Sequence, residues 1–152
     1  MRIVFERVCR AKVDVENKTV GEIGAGAVLY VGVAPDDDEN VAVRMAQKIA
    51  RMRVFSDADD KMNMNVTDAK GSILAIPNFT LCADCSHSNR PSFSTACEPR
   101  RAAQLYDRFC AALEECSVPL QRGVFGADMK VNVTNDGPVT FVLDSREVIK
   151  QK

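Results

Sequence analysis

The sequence predicts an α+β fold: a single domain over residues 1–152, with a largely antiparallel, barrel-like sheet and two main helices. Three observations predict it. Apolar and polar residues alternate near the start, a seven-residue apolar run follows, and two later segments carry apolar residues at helical spacing. Strands and helices do not alternate strictly, which argues against a doubly wound parallel sheet.

Each element follows from local pattern. Val13, Val15 and Val20 alternate with polar residues, and Asn17-Lys18 can form the tight turn of a hairpin. Beyond Gly24 and Gly26, Ala27 to Val33 is apolar throughout, as in a central strand buried on both faces. Asp36 to Glu39 places carboxylates where the positive end of a helix dipole favours them. Val41, Met45, Ile49 and Met52 then recur at helical spacing to about Arg53. Phe55 to Asn65 is polar and irregular, and Gly71 to Leu81 reads as an apolar strand broken by Pro77. Cys82 to Cys97 is a long Ser/Asn/Asp-rich loop, a length often tied to function. Pro99 is a good first helical residue, and Leu105, Phe109, Leu113 and Cys116 share one face of the helix it opens. Strands at about Lys130–Thr134 and Val139–Leu143 close the chain, joined by Asn135-Asp136-Gly137-Pro138 read as a turn.

Bulk properties exclude several classes of function. A chain of 152 residues suits one core. The net charge of -1 and pI of about 5.9 supply no strong basic field. That argues against a broad nucleic-acid footprint, while leaving room for a protein that grips only the end of an RNA. No apolar run could span a bilayer, and Arg2, Glu6 and Arg7 lie where a signal peptide needs an apolar core. The chain therefore reads as cytosolic, with no membrane partner.

Few residues could carry chemistry. Cys82-Ala83-Asp84-Cys85 with His87 is one CxxC and one histidine, short of the four ligands of a structural zinc site. A redox CxxC usually opens a helix, whereas this one runs into loop, so no metal and no cofactor is expected. The six cysteines read as free thiols. His87 is the only histidine and no G-x-S-x-G elbow exists, so a serine or cysteine triad has no support. By composition alone, Asn135 to Thr140 is a hairpin connection, and Pro77-Asn78-Phe79-Thr80-Leu81 is a buried strand end.

Together, those two segments resemble the D-aminoacyl-tRNA deacylase family. That family carries a Ser-Gln-Phe-Thr-Leu segment and an Asn-x-Gly-Pro-x-Thr segment. The second is whole here as Asn135, Gly137, Pro138 and Thr140, and the first survives as Phe79, Thr80 and Leu81, with Pro77 and Asn78 replacing Ser and Gln. Glu6-Arg7-Val8, Gly21 to Gly26, Phe55 to Ala58, Asn89 to Phe93 and Gly126 to Met129 extend the resemblance over nearly the whole chain.

The resemblance implies a homodimer that hydrolyses the ester of a D-aminoacyl-tRNA, with the active site at the subunit interface. The Gly137-Pro138 turn of one subunit would enter the other's site with its peptide bond cis, although an X-Pro bond is trans by default. Carbonyl oxygens placed where an L side chain would project exclude that isomer by clash, which attraction alone does poorly. Glycine has no side chain to exclude, so glycyl-tRNA is an expected second substrate. Thr80, Phe79, Gly137 and Pro138 are the implied catalytic residues. Arg7, Pro77, Asn78, Met129, Asn135, Asp136, Val139 and Thr140 are the implied substrate-binding residues. Arg7 would hold the partner's inserted turn, and Phe79 and Met129 would pack near the terminal adenosine. Backbone N–H groups near Phe79 and Thr80 would stabilise the oxyanion, with water attack assisted by the ribose 2′-OH. A related branch with Pro at position 77 has relaxed chiral rejection, so a deacylase acting on L-amino acids mischarged to tRNA is the alternative.

Overall fold

The computed structural model describes residues 1–149. Strand β1 (Arg2–Val15) organises the sheet. Its return path is β2 (Lys18–Ile23) followed by β3 (Gly26–Gly32), both antiparallel to the same edge of β1. The hairpin turn sits at Glu16 and Asn17, one residue earlier than expected. Both have positive φ (50° and 62°), the handedness that a two-residue hairpin needs.

Helix α1 (Glu39–Arg51) is capped by Asp38, whose carboxylate accepts the Val41 N–H at 2.8 Å. It leads through a two-stranded ribbon, β4 (Phe55–Ser56) and β5 (Met62–Met64), to β6 (Ser72–Pro77). The ribbon lies in the segment expected to be irregular. Pro77 ends β6 instead of breaking a longer strand, because proline has no N–H to continue the ladder. Helix α2 (Pro99–Glu115) leads to β7 (Leu120–Arg122). The β3, β6 and β7 strands run parallel, with α1 and α2 as crossovers, so the sheet is more mixed than the element order suggested.

Strand β8 (Lys130–Asp144) overturns the expected terminal hairpin. Both halves pair antiparallel with β1, Arg10 to Asp14 with the first and Arg2 to Glu6 with the second, so the chain never reverses. Between the pairs Glu6–Thr140 and Val8–Asn135, β1 spends one residue and β8 spends four, Asp136 to Val139. They bulge out of the ladder. A four-residue helix, α3 (Ser145–Val148), follows.

Two cores result. Met1, Ile3, Phe5, Leu29, Ile73 and Ala75 face α1 and α2, meeting Met45, Ile49, Phe109 and Leu113. The other sheet face closes on Val8, Ala11, Val13, Ile23, Val28, Leu74 and Ile76, a barrel interior. The barrel is nearly closed: a methyl group on Gly21 of β2 would lie 3.0 Å from the Arg122 carbonyl oxygen of β7. Buried Tyr106 donates from α2 to the Ala75 carbonyl at 2.9 Å, an oxygen that also accepts the Gly123 N–H. Tyr106→Phe is therefore expected to cost only about 1 kcal/mol in urea denaturation, since that carbonyl keeps one donor. Among the described residues, no helix is long and apolar enough to cross a membrane.

Candidate active site

The barrel opens on a cleft of about 420 Å³. One wall is Pro77 to Thr80, the floor is Tyr30, Ile76 and Val131, and the facing wall is Gly126 to Met129. The wall begins where β6 ends: the Asn78 N–H still donates to the Val31 carbonyl at 2.8 Å, and the chain then tightens into a 3₁₀ turn, Phe79–Cys82. Asn78 caps that turn. Its side-chain oxygen accepts the Thr80 N–H at 3.2 Å and also a short hydrogen bond from the Thr80 hydroxyl.

This capping narrows the chemistry open to Thr80. An amide oxygen accepts the hydroxyl proton but is no base, so the partner that Thr80 has among the described residues does not activate it as a nucleophile. The Thr80 N–H is likewise engaged, so it is not the free oxyanion donor that the sequence suggested. The Phe79 N–H, first in the turn, belongs to the backbone donors that a helix start leaves without an internal partner.

Tyr30 was legible in the sequence only as part of an apolar strand. It lines the floor half-buried, and burial, then the nearby Glu6 carboxylate, raise its pKa above the ordinary 10.0. Its phenol stays neutral and able to donate across the physiological range. Asp128 is the one carboxylate on the cleft wall; it is solvent-facing and paired with Lys130 at 3.0 Å. Met129 reaches the cleft because its sulfur rests on Gly123, where an added Cβ would lie 2.8 Å away.

The second motif segment lies elsewhere on the chain. Asp136 to Pro138 are exposed on the β8 bulge, with Asn135 and Thr140 exposed on either side of it, while Val139 is buried as its anchor. The Gly137–Pro138 bond is cis, the geometry the resemblance implied. Arg7 is only 11 % exposed and clamps this bulge on its own chain. Its Nε donates to the Asp136 carbonyl at 3.2 Å and lies 3.1 Å from the Asp136 carboxylate, while Nη1 donates to the Val54 carbonyl at 2.8 Å. None of Arg7 and Asn135 to Thr140 lines the cleft.

The sequence's other candidates sit apart from it. His87 is 90 % exposed, with Asp84 at 3.9 Å. Cys82 is buried with its Sγ against the Val33 carbonyl, Cys85 is exposed, and all six cysteines are free.

Comparison with known proteins places this architecture. The family model for D-Tyr-tRNA(Tyr) deacylase matches residues 4–144. A solved structure titled "c-Myc DNA Unwinding Element Binding Protein" is 34 % identical, with a TM-score of 0.87 over 95 % of this chain and 98 % of that one. Another, titled as the structural analysis of a probable eukaryotic D-amino acid tRNA deacylase, shares the fold at 16 % identity, with a TM-score of 0.82 over 93 % and 97 % of the two chains. The chain belongs to the D-Tyr-tRNA(Tyr) deacylase family. It is a hydrolase that acts on D-aminoacyl-tRNA.

Proposed function

We propose that the enzyme works as a homodimer in the cytoplasm, and that the bulge at Gly137-Pro138 of one subunit excludes L-aminoacyl esters from the cleft of the other. One observation carries this reading. The bulge is exposed, held by Arg7 and outside its own chain's cleft, so the two motif segments do not meet within one chain.

The sheet supports the partnership. The free edge of β8 has no strand beside it among the described residues, and its Val142 is 74 % exposed. Val142 pairs with Val4, which pairs with Tyr30 of the cleft floor. A partner seated on this apolar stripe would lie beside the cleft. Two-fold symmetry then carries each β8, and its bulge, toward the other subunit's site.

In this reading the aminoacyl-adenosine enters the cleft between Phe79 and Met129. Water, assisted by the 2′-OH of the terminal ribose, attacks the ester carbonyl; the tetrahedral oxyanion accepts the Phe79 N–H, and the ribose oxygen leaves with a proton. Pro77 shapes the wall, Asn78 holds Thr80, and Thr80 orients the reacting groups. Asn135, Asp136, Val139 and Thr140 set the pose of the Gly-Pro tip. Glycyl-tRNA passes because it has no side chain to reject. The scheme uses no metal and no cofactor, so EDTA is expected to leave the rate unchanged.

Thr80→Ala is expected to lower kcat by less than about tenfold, against the ~10⁴-fold or greater loss that follows removal of a covalent nucleophile. Single-turnover release of labelled tyrosine from D-Tyr-tRNA distinguishes the two. The proposal itself is tested by matched D-Tyr-tRNA and L-Tyr-tRNA. Release from the D ester alone supports it, and equal release from both favours the relaxed-chirality alternative, to which Pro77 in place of Ser gives its support.

A further inference from the structure

We propose that Phe93, paired with Phe79 on the cleft rim, is a stacking site for the unpaired nucleobase that precedes the terminal adenosine of the substrate. The inference rests on the deacylase reading of the cleft and extends it by one nucleotide. Phe79 and Phe93 are 56 % and 42 % exposed, and both are large apolar side chains that folding would ordinarily bury. They meet edge to face, with ring centroids 5.0 Å apart and planes at 62°. That arrangement is favourable in itself and leaves ring surface open to a ligand.

The position of the pair selects the base. Phe79 lines the cleft that takes the aminoacyl-adenosine, whereas Phe93 lies outside it. A base on Phe93 is therefore the next one along the strand. The loop is also fixed where it matters. Asp84 and Ser92 exchange backbone hydrogen bonds at 2.8 and 2.9 Å, which anchors the residue before Phe93. In the same loop, the exposed Arg90 side chain has no hydrogen bond or ion pair among the described residues, leaving its charge available to a phosphate. An exposed aromatic and a cation in one loop, on the rim of a cleft for a terminal nucleoside, supply the chemistry that holds single-stranded nucleic acid.

The test compares Phe93→Ala with wild type on three esters: D-tyrosyl-adenosine, the D-tyrosyl ester of the terminal trinucleotide, and D-Tyr-tRNA. Stacking of one base predicts a KM rise of about tenfold on the two longer substrates, no change on D-tyrosyl-adenosine, and recovery in Phe93→Trp. A second readout needs no turnover. In an uncharged trinucleotide with 2-aminopurine before the terminal adenosine, fluorescence should be quenched on binding wild type and much less on binding Phe93→Ala. Equal loss on all three esters would show that Phe93 acts only by packing Phe79, and overturns the proposal. So does unchanged KM on the longer substrates, or a shift of the variant from dimer to monomer. Failure of wild type to cleave any D ester would sink the deacylase reading first, and is distinguished by its independence of position 93.

Discussion

Gly137→Ala is expected to reduce the preference for D- over L-tyrosyl-tRNA by about 100-fold or more, with a modest loss of thermal stability. Gly137 has φ of 155°, a conformation that L side chains rarely adopt, and an added Cβ would lie 2.2 Å from the Val139 nitrogen. The alanine variant must therefore move the bulge tip. In the proposed dimer that tip is what an L side chain strikes, so displacement opens space for the wrong isomer while leaving the Phe79 and Thr80 wall intact. A 100-fold change equals about 2.7 kcal/mol of discrimination, reasonable for relieving one clash. The bulge is exposed, so the fold tolerates the movement. The check is the ratio of kcat/KM for the two isomers. A lost D activity with the ratio preserved would mean that the bulge serves catalysis and not selection.

Asp37→Ala is expected to cost about 3–5 kcal/mol of stability, because it strands a buried charge. The α-ammonium of Met1 is fully buried against the Asp37 carboxylate, itself 3 % exposed, and also donates to the Ser145 hydroxyl at 2.7 Å. The other Asp37 carboxylate oxygen accepts the Ala34 N–H at 2.7 Å, and its carbonyl accepts from Arg101 of α2 at 2.8 Å. One residue thus ties the start of β1, the β3–α1 loop, α2 and α3 together. Urea denaturation measures the loss. Asp37→Asn should recover part of it by retaining the hydrogen-bond acceptor, and a cost below about 1 kcal/mol for the alanine variant would refute the account.

Much of the fold was legible because burial periodicity is local. Met45 and Ile49 on α1, and Leu105, Phe109 and Leu113 on α2, lie in the core as their spacing required. The parallel β3–β6–β7 pairing was not legible, since partners so far apart in sequence leave no local signal. The bulge was misread for a chemical reason: Asn, Asp, Gly and Pro suit a chain reversal and an outward bulge equally well. The cleft was half legible. Pro77 to Thr80 are contiguous, but Met129 joins them only through the barrel, Tyr30 gave no sign beyond strand composition, and Phe93 stood in a segment that carried the resemblance without a role attached to it. The resemblance assigned Arg7 to the partner's Gly-Pro segment, whereas the segment that it grips in this structure belongs to its own chain.

The most direct test of the two-chain site uses a differently tagged heterodimer, with Phe79→Pro in one subunit to remove the N–H that holds the oxyanion in its cleft, at a first helical position that accepts proline, and Gly137→Ala in the other. Only the second subunit's cleft can turn over. If the bulge acts across the interface, that cleft faces a native Gly137-Pro138, and the purified heterodimer will hydrolyse D-Tyr-tRNA with wild-type discrimination against L-Tyr-tRNA. If its discrimination matches the Gly137→Ala homodimer instead, the bulge acts on its own chain and the cross-subunit account is wrong.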